Sequence, residues 1–226
     1  MFYTARVAPI ENMHHAARLL SLATRDPTRE LPPADLRPRL YPGTPERAAV
    51  DELLGTPNPD QPLIALAPGS VWATKRWPYY ADLAHELRDI ARIVVVGSES
   101  DQPLAVEILD ATAGAAVDAT GRLSLLASAE LIGRSNLLVT NDSAPLHLAS
   151  AMNTPTVAVF GPTVPEFGFG PLAERFEIAG RAELPCRPCD RHGPPRCPLG
   201  HWRCMREITA DDVARLARGL LTTPAS

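Results

Sequence analysis

Leu137-Leu138-Val139-Thr140-Asn141-Asp142-Ser143-Ala144-Pro145-Leu146-His147-Leu148-Ala149-Ser150-Ala151-Met152 is the stretch whose reading decides the fold. Leu137 to Thr140 is an apolar, β-rich run. Asn141-Asp142-Ser143 supplies residues that cap helices, and Pro145 falls in the first helical turn, where its missing N–H costs nothing. Leu146, Ala149 and Ser150 follow at helical spacing. Thr156-Val157-Ala158-Val159-Phe160 is a second apolar run, ended by Gly161-Pro162. The pattern predicts strand, turn, helix and strand, with the helix N-terminus open at the carboxyl end of the first strand. Such an end carries unpaired N–H groups and the positive pole of the helix dipole, which suits an anion, phosphate above all. Ser143 adds a hydroxyl, and His147, one turn on, an imidazole donor.

Working outward, the same alternation fills the preceding segment. Leu63 to Ala67 reads as a buried strand, Pro78 to Ile90 as a helix, and Arg92 to Val96 as a strand. Asp101 to Ala111 reads as a helix, Ala116 to Asp118 as a short strand, and Leu123 to Arg134 as a helix. Strands alternating with helices predict an α/β fold: a Rossmann-like parallel sheet with helices on both faces. Functional residues are then expected in the loops that follow the strands. Upstream, residues 1–25 carry one helical pattern, residues 26–45 read as a Pro- and Arg-rich linker, and Glu46 to Leu54 as a short helix. His14 and His15 point about 100° apart on a helix and read as ordinary surface histidines. A capped helix from Thr209 to Leu221 closes the chain, with Val213, Leu216, Ala217 and Leu220 inward.

Composition excludes several classes of function. The chain has 226 residues, 45% hydrophobic and 21% charged, which is the balance of a globular protein able to bury a core. A net charge of −4 argues against a nucleic-acid partner. No apolar run approaches the roughly 18 residues of a membrane-spanning helix. The first residues show no signal-peptide pattern, so the expected setting is the cytoplasm. No G-x-G-x-x-G opens a helix after a strand, and neither a P-loop nor a G-x-S-x-G is present. Nicotinamide dehydrogenases, P-loop enzymes and nucleophile-elbow hydrolases are thereby disfavoured.

Three loops carry chemistry. Pro68-Gly69-Ser70-Val71-Trp72-Ala73-Thr74-Lys75-Arg76-Trp77-Pro78 follows the first strand of the alternation. Gly69 allows a tight turn, Ser70 and Thr74 offer hydroxyls, and Lys75 and Arg76 offer mobile positive charge, as a diphosphate requires. Gly97-Ser98-Glu99 follows the next strand, where a carboxylate can accept hydrogen bonds from a ribose diol. Glu99 is the candidate, with Asp101 nearly as well placed. The third loop, 184–205, holds all four cysteines: Cys186, Cys189, Cys197 and Cys204. Structural zinc, with His201 or His192 as substitute ligands, and free or redox-linked thiols are both open readings.

Asn141-Asp142-Ser143-Ala144-Pro145-Leu146-His147-Leu148-Ala149, followed by Val159-Phe160-Gly161-Pro162-Thr163, resembles the signature of the lipopolysaccharide heptosyltransferases of glycosyltransferase family 9, which use ADP-heptose. Ala144 stands where the family often has Gly. The Pro68-Gly69…Lys75-Arg76-Trp77-Pro78 segment is similar to the family's Pro-Gly…Lys-x-Trp-Pro, and the spacing of the cysteines is similar to that of some members. The resemblance implies the C-terminal half of a GT-B fold. It implies that Ser70 and Lys75 contact the donor diphosphate and that Glu99 contacts the nucleoside. Asp142, Ser143, Ala144 and His147 would surround the donor phosphates and the heptose. It divides the chain into residues 1–60, the end of an N-terminal half with linker helices, and residues 61–226, the nucleotide-sugar-binding domain. The implied function is heptose transfer from ADP-heptose to the lipopolysaccharide inner core, with no cofactor required and with peripheral contact to the inner membrane. No Rossmann-like acceptor domain is found upstream, so the chain looks truncated and no residue is named as catalytic base. The alternatives are another nucleotide-sugar GT-B enzyme and a non-catalytic nucleotide-binding remnant.

Overall fold

The computed structural model describes residues 13–23, 32–56 and 58–222. The rest of the helical pattern expected over 1–25, and part of the expected linker, lie outside the described residues. In chain order the elements are α1 (His15–Ser21), α2 (Pro33–Leu36), α3 (Thr44–Leu54), β1 (Leu63–Ala67), α4 (Tyr80–Leu87), β2 (Arg92–Val95) and α5 (Gln102–Ala111). They continue with β3 (Val117–Asp118), α6 (Leu125–Arg134), β4 (Leu137–Asn141), α7 (Ala144–Met152), β5 (Thr156–Phe160), β6 (Phe176–Gly180), α8 (Arg203–Arg206) and α9 (Ala210–Thr222).

The six strands form one parallel sheet in the order β3-β2-β1-β4-β5-β6. The chain winds outward from β1 through β2 to β3, then returns beside β1 with β4 and winds the other way. The reversal lies between β1 and β4, which pair with Ala65 opposite Leu138. Loops leaving two adjacent strands in opposite directions open a crevice at their carboxyl ends.

Alternation along the strands sorts side chains to the two faces. Ile64, Leu66, Ile93, Val95, Leu137, Val139, Val157 and Val159 pack with Leu83 and Leu87 of α4, Ile108 of α5 and Val213 and Ala217 of α9. Ala65, Ala67, Val94, Val96 and Leu138 pack on the other face with Val50 of α3, Leu131 and Ile132 of α6 and Ala149 of α7. Burial on both faces is why the strands read as continuous apolar runs.

Four sequence expectations change. The linker over 26–45 contains the short helix α2. The helix expected over 78–90 is trimmed to Tyr80–Leu87. Its start is displaced because Trp77 is locked in place, its backbone N–H on Asn141 Oδ1 at 3.1 Å and its ring N–H on the Ile208 carbonyl at 2.8 Å. Strand β6 was not expected; it is an edge strand with Phe176 and Glu177 exposed, so it shows no apolar run. The side-chain cap expected from Asn141-Asp142-Ser143 is also not made: α7 starts from Ser143 with no side-chain cap hydrogen bond.

Leu138 is fully buried on the central strand, and Val106 on α5 is 56% exposed. Leu138→Ala is expected to lower unfolding free energy by about 2–5 kcal/mol in urea titrations. Val106→Ala is expected to change it by no more than about 0.5 kcal/mol.

Candidate functional site

A cleft of about 530 Å³ opens at the switch between β1 and β4. The loop after β1 supplies Gly69, Ser70 and Arg76; the loop after β2 supplies Gly97, Ser98 and Asp101; the start of α7 supplies Ser143, Ala144 and Pro145. Gly69 is required for close approach, since a Cβ there would lie 2.4 Å from the Asp101 carboxylate. Asp101 Oδ2 accepts hydrogen bonds from the Ser98 N–H at 2.9 Å and the Ser98 hydroxyl at 2.7 Å. Asp101 therefore ties the cleft wall together through Oδ2 while itself lining the cleft. Glu99, the sequence candidate for binding a ribose, is exposed on the same turn and is not among the residues lining the cleft.

The missing side-chain cap on α7 has a physical reason. Asn141 uses its amide across the sheet, accepting from Trp77 N–H and donating to the Pro68 carbonyl at 2.9 Å. Asp142 turns away to an ion pair. The first turn of α7 thus faces the cleft with its N–H groups uncapped by side chains, which concentrates positive potential there.

Behind that turn lies a second group of expected site residues, outside the cleft lining. Lys75 Nζ lies 2.6 Å from Asp142 Oδ2, with the two residues 9% and 7% exposed. The Thr163 hydroxyl donates to the same Oδ2 at 2.7 Å. Lys75 is therefore a held cation, contrary to the expected mobile one. Its stem passes Gly193, where a Cβ would come within 2.9 Å of Lys75 Cε. The Thr74 hydroxyl donates to the Pro194 carbonyl at 2.5 Å. Arg76 remains exposed and donates to the Ser70 carbonyl at 2.8 Å.

His147 faces Phe169, with ring centroids 6.5 Å apart. His15 and His192 pack on the same Phe169 at 5.3 and 5.7 Å. His14 accepts from the Ala16 N–H through Nδ1 and donates through Nε2 to the Gly170 carbonyl at 3.1 Å. His15, expected at an ordinary surface, thus joins His147 and His192 around one aromatic ring, with His14 held beside them on the Gly170 carbonyl. Burial pushes the His147 imidazole below its ordinary pKa, with the Asp142 charge pulling it up and His14, His15 and Lys75 pushing it further down. Burial also lowers His14.

In the cysteine loop, Cys186 Sγ lies 3.9 Å from His201 Nε2, and the Cys189 thiol donates to the Cys186 carbonyl. Burial pushes the Cys204 thiol up to about 11, and the charge of Cys189 adds to the effect. Among the described residues no three His, Cys, Asp or Glu side chains are arranged to hold a metal ion.

Two measurements test the ion pair and its histidine. Asp142→Asn leaves the Lys75 ammonium buried without its counter-ion, so stability is expected to fall by about 3–5 kcal/mol, and added Lys75→Met to recover most of the loss. For histidines whose folded pKa is depressed, the unfolded chain binds protons first as pH falls, so stability declines once pH drops below the ordinary imidazole value of about 6.5. The urea midpoint is expected to be lower at pH 5.5 than at pH 7.5, and His147→Gln to narrow the difference.

The description "Glycosyltransferase family 9 (heptosyltransferase)" matches residues 1–199. Lipooligosaccharide heptosyltransferase 2 of Haemophilus influenzae is 35% identical over 163 residues, covering 67% of this chain and 45% of that protein. Lipopolysaccharide heptosyltransferase 2 of Escherichia coli is 36% identical over 116 residues, covering 48% of this chain and 33% of that protein. The chain thus spans about half, or less, of the length of these curated relatives. Among solved structures, the E. coli ADP-heptose lipopolysaccharide heptosyltransferase II superimposes with a TM-score of 0.73 at 26% identity, covering 92% of this chain and 62% of that one. With the family's description matched over most of its length, the chain belongs to glycosyltransferase family 9.

Proposed function

We propose that this chain is the donor-binding part of an ADP-heptose:lipopolysaccharide heptosyltransferase. The observation that carries the reading is the start of α7, uncapped by side chains and facing a nucleoside-sized cleft, with the Lys75 ammonium and the His147 imidazole close behind it. In this reading the nucleoside fills the cleft and Glu99 reaches its ribose from the rim. The diphosphate lies across Ser70, Ser143 and Ala144.

Negative charge grows on the outer phosphate as the glycosidic bond breaks. N–H groups fixed by the fold favour that state without reorganisation, and Lys75 and His147 add to it once the phosphate draws the ammonium from Asp142. Asp142 holds and orients the Lys75 ammonium until a phosphate competes for it. The sugar would leave ADP in one inverting displacement onto an acceptor hydroxyl. The acceptor, the lipopolysaccharide inner core, and the setting, the cytoplasm at the inner-membrane surface, belong to the same proposal. Their support is the function of the relatives, together with the finding that no described helix is long and apolar enough to cross a membrane.

Calorimetric titration with ADP, ADP-heptose and UDP tests the reading. The wild-type chain is expected to bind ADP and ADP-heptose, and Lys75→Ala to weaken both by about tenfold or more, the equivalent of about 1.4 kcal/mol. Equal affinity for UDP would move the assignment to another nucleotide sugar. No binding of either adenine ligand by the folded wild-type chain would overturn it.

A further inference from the structure

The segment between β6 and α8 grips the Lys75–Asp142 pair from both sides. On the lysine side, Gly193 lies against the Lys75 stem and the Pro194 carbonyl accepts the Thr74 hydroxyl. On the aspartate side the contact runs through Arg187. Its guanidinium donates to the carbonyls of Phe160 and Thr163, at 2.8 and 2.9 Å, and to that of Gly161. The neighbouring Cys189 N–H donates to the Pro162 carbonyl at 2.9 Å. Every carbonyl from Phe160 to Thr163 is therefore held by this one segment. Thr163 is 1% exposed, and its hydroxyl is the second donor on Asp142 Oδ2, beside Lys75 Nζ.

We propose that Arg187 is a positioning residue for the donor diphosphate: it fixes the turn after β5, so that Thr163 sets the Asp142 carboxylate and, through it, the direction of the Lys75 ammonium. The inference deepens the donor-site reading and rests on it. A guanidinium suits the task because its planar fork binds several carbonyls at once with fixed geometry, where an ammonium acts as a point charge. The alternative is that Arg187 merely satisfies carbonyls that would otherwise be buried without donors. The two differ in where the effect appears. A structural role weakens the whole site, whereas a positioning role falls on the part of the ligand that Lys75 meets.

The experiment compares ADP with adenosine, which shares the nucleoside and lacks the diphosphate. Titrations are run on wild type, Arg187→Gln, Arg187→Lys, Thr163→Val and Thr163→Ser, each checked for folding by its thermal midpoint. Arg187→Gln and Thr163→Val are expected to weaken ADP by about tenfold while adenosine changes by less than about twofold. Thr163→Ser, which keeps the hydroxyl, is expected to bind ADP as wild type does, and Arg187→Lys to fall between. The double variant Arg187→Gln/Thr163→Val is expected to be no weaker than either alone, because both act through Asp142. Equal loss of ADP and adenosine, or unchanged ADP affinity in the folded variants, would overturn the inference and leave the donor site standing. A wild type that binds neither ligand would overturn both. If Arg187→Gln fails to fold, Arg187→Lys decides: weaker ADP binding with adenosine unchanged supports the inference, and unchanged ADP affinity overturns it.

Discussion

The ion pair between Lys75 and Asp142 joins the parts of this molecule that surround the site. A buried carboxylate must fill its lone pairs and a buried ammonium must find acceptors. Asp142 does so by taking Lys75 from the loop after β1 and Thr163 from the turn after β5. Lys75 adds the Asp142 carbonyl at 3.3 Å. Three loops from neighbouring strands are thereby drawn to one point, and the segment carrying Arg187, Gly193 and Pro194 closes over them. Such a pair is a weak source of net stability, since well-packed apolar groups often replace one without loss. It sets a fixed positive charge behind the uncapped start of α7, on the side where the proposed donor phosphates would lie.

Asn141 plays a complementary part. By bridging Trp77 and Pro68 it joins the loop after β1 to the end of β4, and in doing so it leaves the start of α7 without a side-chain cap. In the proposed reading, stability and ligand binding would compete for the same N–H groups. A capping Asp or Ser would satisfy them in the free protein and hide them from a phosphate. The fold resolves the competition by turning both polar residues before Ser143 towards other partners.

The central strands and most of the helices were legible in the sequence because their signals are local. Runs such as Leu137-Leu138-Val139 and the helical spacing of Val213, Ala217 and Leu220 report burial within a few residues. Gly69, Lys75 and Ser143 stand out in the sequence for a similar reason, since each lies in a loop or turn that follows a strand, and His147 follows one turn into α7. What the sequence hid is long-range. Lys75 and Asp142 are 67 residues apart, and nothing local to either announces the other. Arg187 sits between two cysteines that draw attention away from it, and its carbonyl partners leave no side-chain pattern. The gathering of His15, His147 and His192 around Phe169 depends on α1 packing against a distant loop, with the His15 N–H on the Gly168 carbonyl at 2.8 Å. Strand β6 escaped notice because edge exposure erased the apolar run.

The sheet also ends in an unusual way. Its outer strand on one side, β3, is only Val117 and Asp118, paired to Val94 and Val95. Immediately afterwards the Asp118 carboxylate takes the Thr120 N–H and hydroxyl, at 2.8 and 2.6 Å. A strand from another molecule arriving at this border would find two residues to pair with and a carboxylate beside them. Long, flat, unpaired borders are what seed β-aggregation. Here the border is too short to act as a template, so resistance to intermolecular β-pairing comes from the brevity of one strand and needs no covering element.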